Sequence, residues 1–284
     1  MEINPIIIYK AVKNKRHPIK FLCAKILMRL HLSTLFNIDR KFYLLKFYPS
    51  AYSRALWVEP DFRIKSEENF FRDYLKSEET MIDIGANIGT ITLACANAVG
   101  IKGKIISFEP HPKIFQYLKG NIDLNNQKNI EIHNLALSNK NGFSYFSDVV
   151  SDGQNKILKN THGIKIATKR LDDFNLFEHP ISLLKIDVEG FELFVFQGGE
   201  KTLKIINCVF FECVERLYNN YEYSFSNLFD FLIENNFKIF KYYENTIQQI
   251  FKSSKLLPSQ NLLAIKDIDD FLKRTNYVLA SQNK

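Results

Sequence analysis

The strongest constraint on this chain is the alternation that begins at residue 80, where short apolar runs give way, in turn, to segments of helical period. "TMIDIG" reads as a strand ending in glycine, and "IGTITLACANAVG" as a helix that Gly100 terminates. "KIISFE" is a second strand, and "HPKIFQYLKGNIDL" a second helix with Pro112 in its first turn. "IEIHNLAL", "ISLLKID" and "NCVFFEC" read as the third, fourth and fifth strands, with a helix over "GGEKTLKII" between the last two. A helix over "SFSNLFDFLIENN" and strand-like "FKIFKYY" and "NLLAIK" follow. Strands and helices in this order demand a mostly parallel sheet covered by helices on both faces.

A ligand of such a sheet lies outside the carboxyl ends of its strands. Those ends carry Asp83–Gly85, Glu109, Asp187–Glu189 and Glu212. In "LLKID" the side chains of Lys185 and Asp187 share one face of the strand. An unpaired buried ion is costly, so these charges form either a site or an ionic brace for the sheet.

"DIGANIG" is a glycine turn between strand and helix. Gly85 permits close backbone approach, and Gly89 lets the helix start beside a ligand. The dinucleotide fingerprint GxGxxG fails, because Asn87 and Thr90 stand at its second and third glycine positions. Glu109 ends the next strand, where a carboxylate can accept hydrogen bonds from both hydroxyls of a ribose. A turn and an acid at this spacing point to an adenosine-type cofactor.

Taken in order, "DIGANIG", "FEPHPKIFQYL", "LALSNKNG", "RLDDF", "LLKIDVEGFE" and "VFFE" resemble the FkbM-type methyltransferase family over roughly residues 53–215. The resemblance implies a Rossmann-like class I methyltransferase fold, α/β, with a mostly parallel seven-stranded sheet whose last strand is antiparallel. It implies S-adenosyl-L-methionine as cofactor and a hydroxyl of a sugar or natural product as acceptor. Gly85, Ala86, Asn87 and Gly89 would line its methionine part, with Asp83 orienting the loop or the cofactor amine. Glu109 would hold the ribose, Pro110 and His111 would lie towards the adenine, and Ala136 and Leu137 would contact the base.

Asp187 is the candidate catalytic residue, with Lys185 and Glu189 beside it. Oxygen ligands from Asp187, Glu189 and Glu212 would suit Mg²⁺, which lowers the pKa of a bound hydroxyl. Residues 143–170 separate the third and fourth strands and read as short strands around a polar loop. That loop is either plain surface or a substrate lid offering Asp152, Gln154 and Asn155 to a sugar.

Three segments are expected: a basic extension over 1–52 with a helix and a hairpin strand, the methyltransferase domain over 53–270, and a C-terminal tail. Tyr43–Tyr48 and Ser53–Glu59 suggest a hairpin, and Ser66 the cap of a helix. Residues 1–50 hold ten Lys or Arg against Glu2 and Asp39, although the whole chain is only +7. The basicity therefore belongs to the extension, and the remainder is slightly acidic. A helix over 18–32 either packs on the domain with its lysines outward or contacts anionic membrane through basic and apolar groups together.

An acidic domain disfavours nucleic-acid partners, and the Asp/Asn-Pro-Pro-aromatic motif of base methyltransferases is absent. The competing non-catalytic reading is a cofactor-binding scaffold docked on a membrane or partner. Cys23, Cys95, Cys208 and Cys213 form no CxxC pair and read as small core residues of a reducing compartment. With no signal-peptide pattern and no apolar run of about 20 residues, the cytoplasm or the inner membrane face is the expected location.

Overall fold

The computed structural model describes residues 16–60, 64–149, 154–159, 161–176 and 180–280. A helix over Pro18–Arg29 opens this part of the chain. β1 (Asn37–Asp39) and β2 (Leu44–Lys46) then pair as an antiparallel hairpin. The hairpin therefore precedes the position expected for it, and Ser53–Glu59 is no strand. Ser50 accepts a hydrogen bond from the Ser53 N–H, and this cap starts a helix over Ala51–Val58. The next helix, Ile64–Tyr74, begins two residues before Ser66, which lies inside it instead of capping it.

β3 (Thr80–Ile84) is buried along its whole length. It leads through the glycine turn into the helix Thr90–Val99, which ends at left-handed Gly100. β4 (Lys104–Phe108), the helix Pro112–Leu124 and β5 (Ile130–His133) follow. The third strand expected over "IEIHNLAL" is split. The Asn134 amide donates to the carbonyls of Glu109 and Pro110 at 2.8 and 3.1 Å, turning the chain out of the main sheet. β6 (Ala136–Leu137) then joins β7 (Gly142–Phe146), β8 (Ile157–Leu158) and β9 (Ile164–Lys169) in a second sheet of order β6-β9-β7-β8.

β10 (Ile181–Ile186) returns to the main sheet beside β3. The run "ELFVFQ" after it is a helix, Glu192–Gln197, followed by a short helix over Glu200–Lys204. β11 (Cys208–Cys213), a helix over Phe225–Glu234, β12 (Lys238–Tyr243), β13 (Thr246–Gln249) and β14 (Gln260–Ile265) come next. A helix over Ile268–Arg274 and β15 (Val278–Leu279) close the described chain. Phe271 of that helix is fully buried, so the core continues past residue 270.

The main sheet has nine strands in the order β15-β13-β12-β14-β11-β10-β3-β4-β5. β11, β10, β3, β4 and β5 are parallel, and β14 inserts antiparallel between β11 and β12. These seven strands have the class I methyltransferase order, and β13 and β15 extend one edge beyond it. One apolar cluster covers each face of the sheet: Met81, Ile105, Leu183 and Phe210 point to one, and Ile82, Ile106, Leu184 and Phe211 to the other. The chain leaves β3 towards β4 on one side and returns as β10 on the other. The order therefore reverses between β3 and β10, where folds of this kind hold their ligands. Cys95, Cys208 and Cys213 are buried as expected, whereas Cys23 is exposed.

Candidate active site

The turn after β3 is held from three sides. The N–H groups of Gly85 and Ala86 both donate to the Phe108 carbonyl at 3.0 Å, and that of Asn87 donates to Glu109 Oε2 at 2.9 Å. Gly85 has φ +77° and Asn87 φ +49°, left-handed conformations that glycine and asparagine adopt most readily. A Cβ on Gly85 would overlap the Asp187 carbonyl oxygen, so its freedom makes room for the end of β10. The space the sequence suggested for a ligand is here filled by backbone. A Cβ on Gly89 would meet Leu118 Cδ1 at 2.6 Å, so that glycine serves the packing of two helices.

Lys185 ties the two strand ends together. Its Nζ lies 3.2 Å from Asp83 Oδ1 and 3.7 Å from Asp187 Oδ2, and donates to the Gly85 carbonyl at 2.8 Å. Burial works against the ammonium, but Asp83 and then Asp187 outweigh it and raise its pKa, so Lys185 stays charged. Asp83 is completely buried and also accepts from the Thr92 hydroxyl at 2.6 Å. Asp83 thus stands behind the turn and braces it.

Glu109 is buried, and its second oxygen accepts from the His111 N–H at 2.9 Å. Burial pushes its carboxyl up to about 7, against the pull of its two backbone donors. His111 caps the helix Pro112–Leu124 by accepting from the Lys113 N–H, and its Nε2 lies 3.2 Å from Asp148.

A cavity of about 290 Å³ opens at these strand ends. Gly85, Ala86, Asn87, Glu109 and Pro110 line it, together with Ala136 and Leu137 from β6. So do Lys185, Asp187, Glu189 and Glu212. Asp83, Gly89 and His111 are not among its lining residues. From β7 and the stretch that follows it, Phe146, Asn155 and Ile157 reach it. Asn155 Oδ1 accepts from Ser147 Oγ and the Val149 N–H, which orders this wall. Gln154 is exposed and does not line the cavity, and Asp152 lies outside the described residues.

Asp187, Glu189 and Glu212 each offer an oxygen, all within 4.8 Å of one another. Burial, then Asp187, pushes Glu189 up to about 7. Burial, then Asp187 and Glu189, pushes Glu212 up to about 9. One Glu212 oxygen is buried without a hydrogen-bond partner among the described residues. Three hard oxygen donors this close can share a proton or hold a small divalent cation.

The residues also fit an adenosine-type cofactor. An ionised carboxylate accepts about four hydrogen bonds, and Glu109 spends two on the backbone, leaving capacity for ribose hydroxyls at the cavity wall. Apolar Pro110, Ala136 and Leu137 suit a flat base.

Three further lining residues come from distant parts of the chain. Tyr52 of the helix Ala51–Val58 lies 3.4 Å from Thr90 Oγ1, and Asn261 of β14 donates to Glu67 Oε1 at 2.7 Å. No local pattern marks these positions.

A family model described as the methyltransferase FkbM domain matches residues 83–239. Methyltransferase 1 of Beauveria bassiana is 31% identical over 144 residues, covering 42% of this chain and 57% of that protein. The hexuronic acid methyltransferase AglP of Haloferax volcanii is 29% identical over 158 residues, covering 52% of this chain and 63% of that protein. The chain thus spans less than two thirds of the length of either relative. A solved SAM-dependent methyltransferase from Aquifex aeolicus is 13% identical with a TM-score of 0.42, covering 73% of this chain and 94% of that one. With more than half of its residues matched by the family model, this chain belongs to the FkbM methyltransferase family.

Proposed function

We propose that the chain is an S-adenosylmethionine-dependent methyltransferase acting on a hydroxyl of a saccharide or glycan precursor. The observation that carries this reading is one cavity lined both by the Gly85–Asn87 turn with Glu109 and by Asp187, Glu189 and Glu212. The cofactor supplies a methyl group already activated on a sulfonium centre. The chain must therefore supply alignment and a polarised or deprotonated hydroxyl. Glu109 is assigned to the ribose hydroxyls, and the turn with Pro110, Ala136 and Leu137 to the rest of the cofactor.

Asp187 is assigned to the acceptor, taking the hydroxyl proton as the oxygen attacks. Its side chain is about half exposed to the cavity, and Lys185 at 3.7 Å keeps it oriented. Glu189 and Glu212 add acceptors for neighbouring hydroxyls. Carboxylates accept from sugar hydroxyls but repel phosphates, which favours a saccharide over a nucleic acid. The relative named as a hexuronic acid methyltransferase supports the same class. The unpartnered oxygen of Glu212 favours one addition: Asp187, Glu189 and Glu212 would hold Mg²⁺, which would lower the pKa of a bound hydroxyl.

Calorimetry with S-adenosylhomocysteine tests the cofactor, and methyl transfer to uronic-acid glycans, followed by mass, tests the acceptor. Binding without turnover on any glycan would favour the scaffold reading. Absence of binding would end both.

A further inference from the structure

The helix Pro18–Arg29 has two apolar faces, and the domain covers one of them. Ala24 is fully buried, and Phe21, Leu27 and Met28 pack against the main core. Ile19, Leu22, Ile26 and Leu30 recur at helical spacing on another face and are exposed, Ile19 to 79%. Cys23 lies on the same stripe and is exposed as well. The turn that follows adds exposed Leu32, Leu35 and Phe36. A run of large apolar side chains in water is costly unless something covers it.

The charges around the stripe indicate what covers it. At 100° per residue, Lys25 and Arg29 fall along one side of the stripe; Arg16 stands just before the helix, and Lys20 is turned towards the domain over Trp57. No acidic residue lies between Arg16 and Ile38. Apolar side chains flanked by Lys and Arg, with no acid among them, are the pattern of a helix lying in the headgroup layer of an anionic bilayer. An apolar protein partner alone gives no reason for a charge of one sign throughout residues 16–38.

The helix lies one element away from the candidate active site. It packs against the helix Ala51–Val58, where Lys20 lies 5.2 Å from the Trp57 ring and Tyr52 lines the cavity. The face and the cavity are thus connected through a single helix.

We propose that the exposed face of Pro18–Arg29 docks on an anionic lipid bilayer, peripherally and without crossing it. Among the described residues no helix is long and apolar enough to span a membrane. The contact is held by apolar burial and by basic groups together, so it weakens with salt without vanishing.

The test is sedimentation of the full chain with phosphatidylcholine vesicles, with and without added phosphatidylglycerol, across a salt series. The wild type should bind the anionic vesicles more tightly than the neutral ones. Ile26→Asp with Leu22→Ser should lower partitioning at least about tenfold, because apolar burial is lost and a negative charge is introduced. Lys25→Glu with Arg29→Glu should lower it at low salt and flatten the salt dependence. Circular dichroism and S-adenosylhomocysteine binding would confirm that both variants fold. Equal binding to neutral and anionic vesicles, or variants that bind as the wild type does, would overturn the proposal. So would a concentration-dependent dimer that Ile26→Asp abolishes while vesicle binding is absent, since the face would then belong to a second copy of the chain.

Discussion

Gly85 and Asp187 meet backbone to backbone: a Cβ on the glycine would overlap the carbonyl oxygen of the aspartate. The turn after β3 and the end of β10 can approach this closely only while position 85 has no side chain. That contact joins the wall of the cavity formed by the turn to the wall that carries the acidic cluster.

Gly85→Ala should therefore disturb both. Alanine at φ +77° costs about 1–2 kcal/mol before any clash, and what it meets is backbone, not the end of a flexible side chain. We expect a lower melting temperature and at least about tenfold weaker S-adenosylhomocysteine binding, read by calorimetry. Gly89→Ala carries a similar conformational cost, but its Cβ meets the flexible end of Leu118. It should lose stability and keep its affinity. Equal affinity losses in the two variants would mean that the Asp187 contact has no special role.

The Lys185 brace makes a prediction about stability. Lys185→Met would leave Asp83, which has no exposure to water, without its cation. Breaking a buried pair from one side costs about 3–5 kcal/mol, measurable by urea denaturation. Adding Asp83→Asn should restore part of the loss, because an amide needs no counter-charge. If the double variant were no more stable than Lys185→Met, the Asp83 charge would not be the source of the cost.

Glu192 predicts the pH dependence of stability. Its carboxyl is buried and accepts from the N–H groups of Val188 and Gly190, and burial raises it to about 8. As pH rises, the unfolded chain releases this proton first, so between about pH 4.5 and pH 8 the folded state binds more protons. The contribution is fully present below that window and is lost as pH climbs through it. Glu109, raised to about 7, acts in the same direction. Glu192→Gln should lessen the decline in stability by roughly 1–3 kcal/mol, measured by denaturant titration at several pH values. An unchanged slope would place the source elsewhere.

The parts of the fold that were legible share a physical reason. β3, β4, β10 and β11 are short buried runs ended by glycine or by a charge, and a parallel sheet with its ligand at the strand ends follows from that pattern. Ser53–Glu59 reads as a strand because "ALWV" within it is apolar and branched or aromatic, while the Ser50 cap that starts the helix Ala51–Val58 is one hydroxyl. β5 and β6 were merged because a single side-chain amide, Asn134, separates them. The acidic cluster was legible because its members end neighbouring strands. Tyr52, Glu67 and Asn261 were not, since only the folded chain brings residues so far apart in sequence to one wall.

Asp187 carries the last prediction. Asp187→Asn keeps the side chain's size and removes its charge and basicity, so turnover should fall by about 10²-fold or more. S-adenosylhomocysteine affinity should change little, because the proposed cofactor contacts come from Glu109 and the turn. Two arrangements lead to that loss, and Glu212 separates them. If Asp187, Glu189 and Glu212 hold a cation, EDTA should stop wild-type turnover, Mg²⁺ should restore it, and Glu212→Gln should weaken the response to Mg²⁺. If the three carboxylates work without metal, chelation should have no effect. Burial and two acidic neighbours then keep the Glu212 proton in place, and Asp187, exposed to the cavity, is left to accept from the substrate. Glu212→Gln, which mimics that protonated form, should then keep most of its activity. A fully active, folded Asp187→Asn would remove Asp187 from the chemistry in both arrangements and leave Glu189 as the nearest remaining base.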